Sequence, residues 1–269
     1  MATLSCFGLG AISGAAFFRI ERVHPQPMLD LHLLADRLFS TAVLSAMLNY
    51  VAAFFQTFPA PFCLLQARGL DPQTTGLLIM VSGLAMLGLT PFADSLSDRI
   101  GSRSLTSSGL CVSALGLVAL AMLGVSSSVA AIAAAQLVVG AGAGLFSSPN
   151  TSAIMGEVPI DRRGTAAGMQ AMARNVGMVL GIALAGATFS SRLATLSGPA
   201  DFCGADHDTL LIGATVAFVG TLVSASQDAV SRGANSRTRR LFTARRAAAQ
   251  PKSKAMSVTA VARSARSAV

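Results

Sequence analysis

Polar and apolar positions in this chain fall into long blocks. Uncharged, mostly apolar runs occupy residues 2–18, 38–58, 74–93, 104–124, 129–156, 165–190 and 209–226. As helices rising about 1.5 Å per residue, each crosses or nearly crosses a hydrocarbon core about 30 Å thick. The pattern predicts an all-α polytopic membrane bundle of seven helices, the fifth kinked at Pro149. Residues 2–18 lack the basic start of a signal peptide, and Arg19, Glu21 and Arg22 follow at once, so this run reads as a membrane helix. The polar stretch 19–37, with Pro25 and Pro27, reads as a loop.

The densest pattern lies between Gln136 and Gly186, where two small-residue segments flank the charged turn Glu157–Arg163. Gly140, Gly142 and Gly144 lie in the first segment, and Gly168, Gly177, Gly181 and Gly186 in the second. In water each glycine weakens a helix by about 1 kcal/mol against alanine. In lipid, small residues let helix backbones approach closely, so Gly140, Gly142, Gly144, Gly177 and Gly181 are assigned to helix packing. The run Gly140-Ala-Gly142-Ala-Gly144 looks like a dinucleotide fingerprint, but that motif needs a strand before it and a soluble βαβ unit around it.

Composition agrees with a membrane protein: 52% hydrophobic, 12% charged, mean hydropathy +0.61. The net charge of +8 invites a nucleic-acid reading until it is located. Residues 227–269 carry ten Lys and Arg against the single acid Asp228, so the tail holds the whole excess and no nucleic-acid partner is implied. The tail lacks apolar periodicity and reads as disordered, with anionic lipid a natural contact. In alternate loops the arginines number seven (Arg19, Arg22, Arg37, Arg99, Arg103, Arg162, Arg163) against two (Arg68, Arg192), which predicts the first set and the tail to be cytoplasmic. Cys6, Cys63, Cys111 and Cys203 show no metal or redox spacing and read as inert thiols; of the four, Cys63 and Cys203 both lie near the predicted outer face, where pairing is conceivable.

A family resemblance follows from the same region. The glycine-rich helix ending in FSSPNTSAIM, the turn Pro159-x-x-x-Arg163-Gly164, and AAGMQAMARNVGMVLGIALAG together resemble the C-terminal half of the major facilitator superfamily, in particular its fourteen-helix drug:proton antiporters. The loop Glu21–Leu34 is similar to the connection preceding that half. The resemblance implies three parts: a linker helix and cytoplasmic loop (1–37), a six-helix transporter half (38–226) and the basic tail (227–269). Asp94–Arg103, DSLSDRIGSR, resembles the superfamily's cytoplasmic signature loop, with matches at Asp98, Arg99, Gly101 and Arg103; Asp94 stands where the family has its first glycine. These four residues are expected to form a conformational latch, an acid at one helix end and basic groups past a tight turn making charge-assisted contacts.

Candidate cavity residues lie on two helices. Thr41, Ser45, Asn49 and Gln56 share one face, with Met47, Tyr50, Phe54, Phe55 and Phe58 beside it. Such a surface suits lipophilic or cationic substrates through methionine and cation–π contacts; hydrogen bonding between helices accounts for the polar residues equally well. Arg174 is the one charge deep in a predicted span and is expected to face protein or a water-filled cavity, on a face shared with Gln170, Gly177 and Gly181. Ser45, Asn49, Tyr50, Phe54, Gln56 and Arg174 form the candidate substrate set. His24, His32 and His207 have no metal-ligand spacing, and no catalytic constellation stands out, so neither an enzyme nor a cofactor is expected.

All twelve Asp and Glu fall in predicted loops, helix ends or the tail, which leaves no evident carboxylate to couple protons to transport. The resemblance implies half of an inner-membrane exporter driven by the proton-motive force, needing the lipid bilayer and an N-terminal half that is missing or separately encoded. The alternative expectation is a membrane scaffold that binds partners through its glycine-rich helices and basic tail.

Overall fold

A computed structural model describes residues 8–10, 12–16, 19–20, 31–194 and 202–226 of the chain. The described parts of the predicted first helix, 8–10 and 12–16, are helical; the tail, Cys6 and His24 lie outside the described residues. Among the described residues, six helices are long and apolar enough to cross a membrane. They are α1 (Arg37–Thr57), α2 (Pro72–Ile100), α3 (Ser102–Ala121), α4 (Val129–Gly156), α5 (Arg163–Leu193) and α6 (Phe202–Ser226). There is no β-strand among the described residues.

Caps set the helix ends, and hydropathy does not. Asp36, Asp71 and Ser128 precede α1, α2 and α4, each accepting a hydrogen bond from a free N–H of the first turn. The helices therefore outrun the apolar runs. α2 continues seven residues past the predicted boundary to Ile100, so Asp94, Asp98 and Arg99 lie on helix and not in a loop. α6 begins at Phe202, which carries Cys203, Asp206 and His207 from a predicted loop onto its first turns. α4 runs without interruption through Pro149, which is buried.

α4 is the centre of the bundle, packed lengthwise on both α2 and α3, while α1 packs along α5. Glycine makes these contacts close. A Cβ on Gly140 would lie 2.0 Å from the Ser82 carbonyl oxygen of α2, and one on Gly142 would lie 2.4 Å from the Ser113 nitrogen of α3. A Cβ on Gly144 would come within 2.9 Å of Met86 O. On α5, a Cβ at Gly177 would meet Met47 O at 2.5 Å, and one at Gly181 would meet the Phe54 Cβ at 2.8 Å. α6 closes on α1 through Gly213, which faces Phe55.

α2 and α5 are the least covered helices. In their most apolar stretches 11% and 22% of residues are buried, against 39% or more in the other four.

Candidate functional site

Two polar clusters stand at opposite ends of the bundle. At the first end, Gly101 alone separates α2 from α3, and its φ of 97° is open to glycine and strained for other residues. The chain reverses there, and both flanking helices reach α4. Arg103, in the first turn of α3, forms an ion pair with Glu157 at the C-terminal end of α4. The Ser148 hydroxyl of α4 donates to the Asp94 carboxylate of α2. Asp98 and Arg99 are exposed and make no ion pair among the described residues. Of the four signature matches, then, Arg103 bridges helices and Gly101 makes the turn, while the acid in contact with a neighbouring helix is Asp94.

The second cluster lies where α1 ends. Pro59 and Pro61 interrupt regular hydrogen bonding, and the chain continues as a short turn (Ala60–Phe62) and a π-helical turn (Cys63–Ala67) that stops at Gly69, φ 63°. Arg68 is held at that stop by its own N–H bonding Cys63 O. Its guanidinium donates to Ser127 O at 2.8 Å and to Gly124 O, so it caps the connection between α3 and α4. His207 Nδ1 donates to Ala121 O, the last carbonyl of α3, at 2.6 Å. Burial lowers the Arg68 guanidinium from its ordinary value, and nearby Asp206 partly opposes that shift.

Cys63 and Cys203 form a disulfide here, tying the end of α1 to the start of α6. Their reading as free thiols is thus corrected: no spacing motif announces the pair because the bond joins segments 140 residues apart. Cys111 is free. Phe58, Phe62, Phe189 and Phe202 pack around this end with ring centroids 5.4–6.4 Å apart.

Between these parts is a small recess, continuous with the exterior, whose polar lining is Gln56, Arg68, Gln136 and Asp206. The Gln56 amide donates to Gln136 Oε1, linking α1 to α4 in the buried interior. Apolar side chains of the turns after α1 and of α3, α4 and α6 complete the wall.

Of the six candidate substrate residues, only Gln56 lines this recess. Ser45 is fully buried and its hydroxyl bonds Thr41 O of its own helix. Asn49 is half-buried. Tyr50 and Phe54 lie against Gly177 and Gly181. Arg174 is exposed. The buried stripe of α5 runs Met169, Ala173, Gly177, Gly181, Ala185, with the two glycines against α1, whereas Arg174, next to the buried Ala173, is itself exposed. Its predicted place on the packed face with those glycines is corrected accordingly. Arg68, Gln136, Asp206 and His207 were absent from the sequence-derived set. The available signals were thin: one of two arginines on that side, one polar residue in an apolar run, and an acid at the start of another.

The sequence profile of the Major Facilitator Superfamily matches residues 42–196, more than half of the chain. The chain belongs to that superfamily. This major facilitator chain is 29% identical over 203 residues to the riboflavin transporter RibZ of Clostridioides difficile, covering 74% of itself and 44% of RibZ. It is 34% identical over 173 residues to the uncharacterized transporter YebQ of Escherichia coli, covering 64% and 38% of the two chains. With the multidrug resistance protein Stp of Mycobacterium tuberculosis it shares 29% identity over 197 residues, 73% and 36% of the two lengths. The chain thus spans less than half the length of these relatives. Membership makes it a transporter-family membrane protein and not an enzyme.

Proposed function

We propose that this chain forms one six-helix half of an exporter that moves lipophilic or cationic compounds out of the cell against proton influx, with α2 and α5 facing the other half. That half is carried on the same polypeptide or on a second one. The observation that carries the proposal is Arg174, exposed on α5 about 16 Å of helix from Arg163. An arginine facing lipid at such depth costs about 2.5–3.5 kcal/mol, so its face belongs against protein or a watery cavity. The same face carries Asn175, and α2 bears Gly76, Gly83 and Gly88, where a Cβ would meet nothing within 4 Å. A half-by-half transporter rocking about a midplane cavity covers such surfaces. The name of Stp supports drug export, whereas that of RibZ points to riboflavin.

The disulfide supports an orientation with the Cys63 end outside, because such bonds persist on the oxidising side of a membrane. The arginine count supports the same orientation, with the C-terminal tail cytoplasmic in an inner-membrane protein. One proton descending about 100 mV supplies about 2.3 kcal/mol, roughly a 50-fold gradient.

The test is resistance and dye efflux in a strain deleted for the locus, complemented with the chain and its complementary half. Complementation should restore proton-driven efflux, and Arg174→Leu should abolish it at unchanged protein level. A deletion strain with unaltered sensitivity and efflux would instead favour the scaffold reading, in which the open faces of α2 and α5 bind partner helices without transport.

A further inference from the structure

The recess at the disulfide end holds a group that the rest of the fold leaves unexplained. The carboxyl of Asp206 lines it; the residue is half-buried, but its Oδ1 is shut off from solvent and has no hydrogen-bond partner among the described residues. Arg68 lines the same recess, yet no ion pair joins the two; its guanidinium is turned to the Gly124 and Ser127 carbonyls. His207 is committed through Nδ1 to Ala121 O. Asp208, on the same helix, is engaged with Arg192 at 3.1 Å. α1, α3 and α4 present only Gln56, Gln136 and apolar side chains to the recess.

An ionised carboxylate in this setting has cationic neighbours but no contact that compensates its desolvation. The charge is removed if a proton from water in the recess bonds to the carboxylate. The recess, being continuous with the exterior, supplies the route. We propose that Asp206 is a proton-exchange site, loaded and unloaded through the recess between α1, α3, α4 and α6. This deepens the proposed function by naming a coupling carboxylate in this half, and it rests on that function only for the step from proton binding to transport.

The site also has a mechanical consequence. Asp206 lies three residues from the disulfide and one from His207, which holds the end of α3. Arg68 faces the same recess and holds the connection after α3. A change of charge at Asp206 is therefore felt by both groups that pin that connection.

The test is pH-difference infrared spectroscopy on the full chain in lipid nanodiscs, following the carbonyl stretch of protonated carboxyl groups. The parent should show a titrating component that Asp206→Asn removes and Asp208→Asn retains. Arg68→Gln, which takes a positive charge away from the carboxylate, should move that component to higher pH. Mobility on a non-reducing gel, reporting the Cys63–Cys203 bond, certifies the fold of each variant. An unchanged titration in disulfide-bonded Asp206→Asn overturns the proposal, as does an unmoved midpoint in Arg68→Gln. The experiment uses no substrate and no second half, so its failure leaves the efflux reading to its own test.

Discussion

Substituting Gly140 by alanine adds one methyl group where α4 crosses α2, and the geometry fixes what must follow. The new Cβ would lie 2.0 Å from Ser82 O, 2.7 Å from Ser82 C and 2.8 Å from its Cα, all backbone atoms of a helix. Ordinary contact begins at 3.4 Å, so the helices must separate by more than an ångström at the crossing. No side chain can turn aside to make room. Separation also strips dispersion contacts along the seam, where Gly144 lies one turn further on. Overpacking of this kind costs about 1–3 kcal/mol, and each kcal/mol lowers the melting temperature of a domain of this size by about 2–4 °C. A decrease of about 2–12 °C is expected. The control is Gly83→Ala on α2, whose Cβ would meet nothing within 4 Å.

The assay is thermal unfolding of the purified full chain in detergent, read by a thiol-reactive fluorophore. In a Cys6→Ser background the reporter is Cys111, a free and half-buried thiol of α3. The order of melting temperatures should be Gly83→Ala highest, then Gly144→Ala, Gly142→Ala and Gly140→Ala. Indistinguishable melting of Gly140→Ala and Gly83→Ala would refute the packing argument.

Two further outcomes follow from the helix ends. Replacing both Cys63 and Cys203 by alanine should abolish the mobility difference between reduced and non-reduced chain and lower stability by about 2–5 kcal/mol, the range for loss of a native disulfide, measured by the same unfolding assay with Cys111 still the reporter. Arg103→Gln should cost no more than about 1 kcal/mol, because the pair it forms with Glu157 is partly exposed, with side chains 26% and 29% accessible; a double-mutant cycle with Glu157→Gln should return that same coupling, and a larger value would show a pair screened from solvent.

The six spans were legible because hydrocarbon demands long uncharged helices, and the sequence offers almost no charge inside them. The glycines that set the α1–α5 and α4 contacts were legible for the same reason: nothing else explains so many in apolar helix. The ends were not. Asp94, Asp98 and Arg99 read as loop because charge interrupts the apolar run, but this helix carries its charges until Gly101 ends it. Asp206 was hidden differently. Its burial comes from the π-helical turn of α1 and the end of α3, segments remote in sequence, and no local pattern records which loops a bundle folds together. The cavity residues on α1 were over-read, since one face of a helix contacts several neighbours: Gln56 reaches α4, while Tyr50 and Phe54 meet α5.

The disulfide between Cys63 and Cys203 encloses four complete spans, α2 to α5, between its two ends. It therefore acts as a clasp on the finished article of biosynthesis. The thiol of Cys63 reaches its side of the membrane early and must wait, unpaired, while the next four helices are made and inserted. Only when α6 delivers Cys203 to the same side can the ring close. A chain stopped before Cys203, or one whose α6 places Cys203 on the other side, cannot close the ring and leaves the Cys63 thiol reactive, so the state of this one bond reports whether its two ends share one side of the membrane.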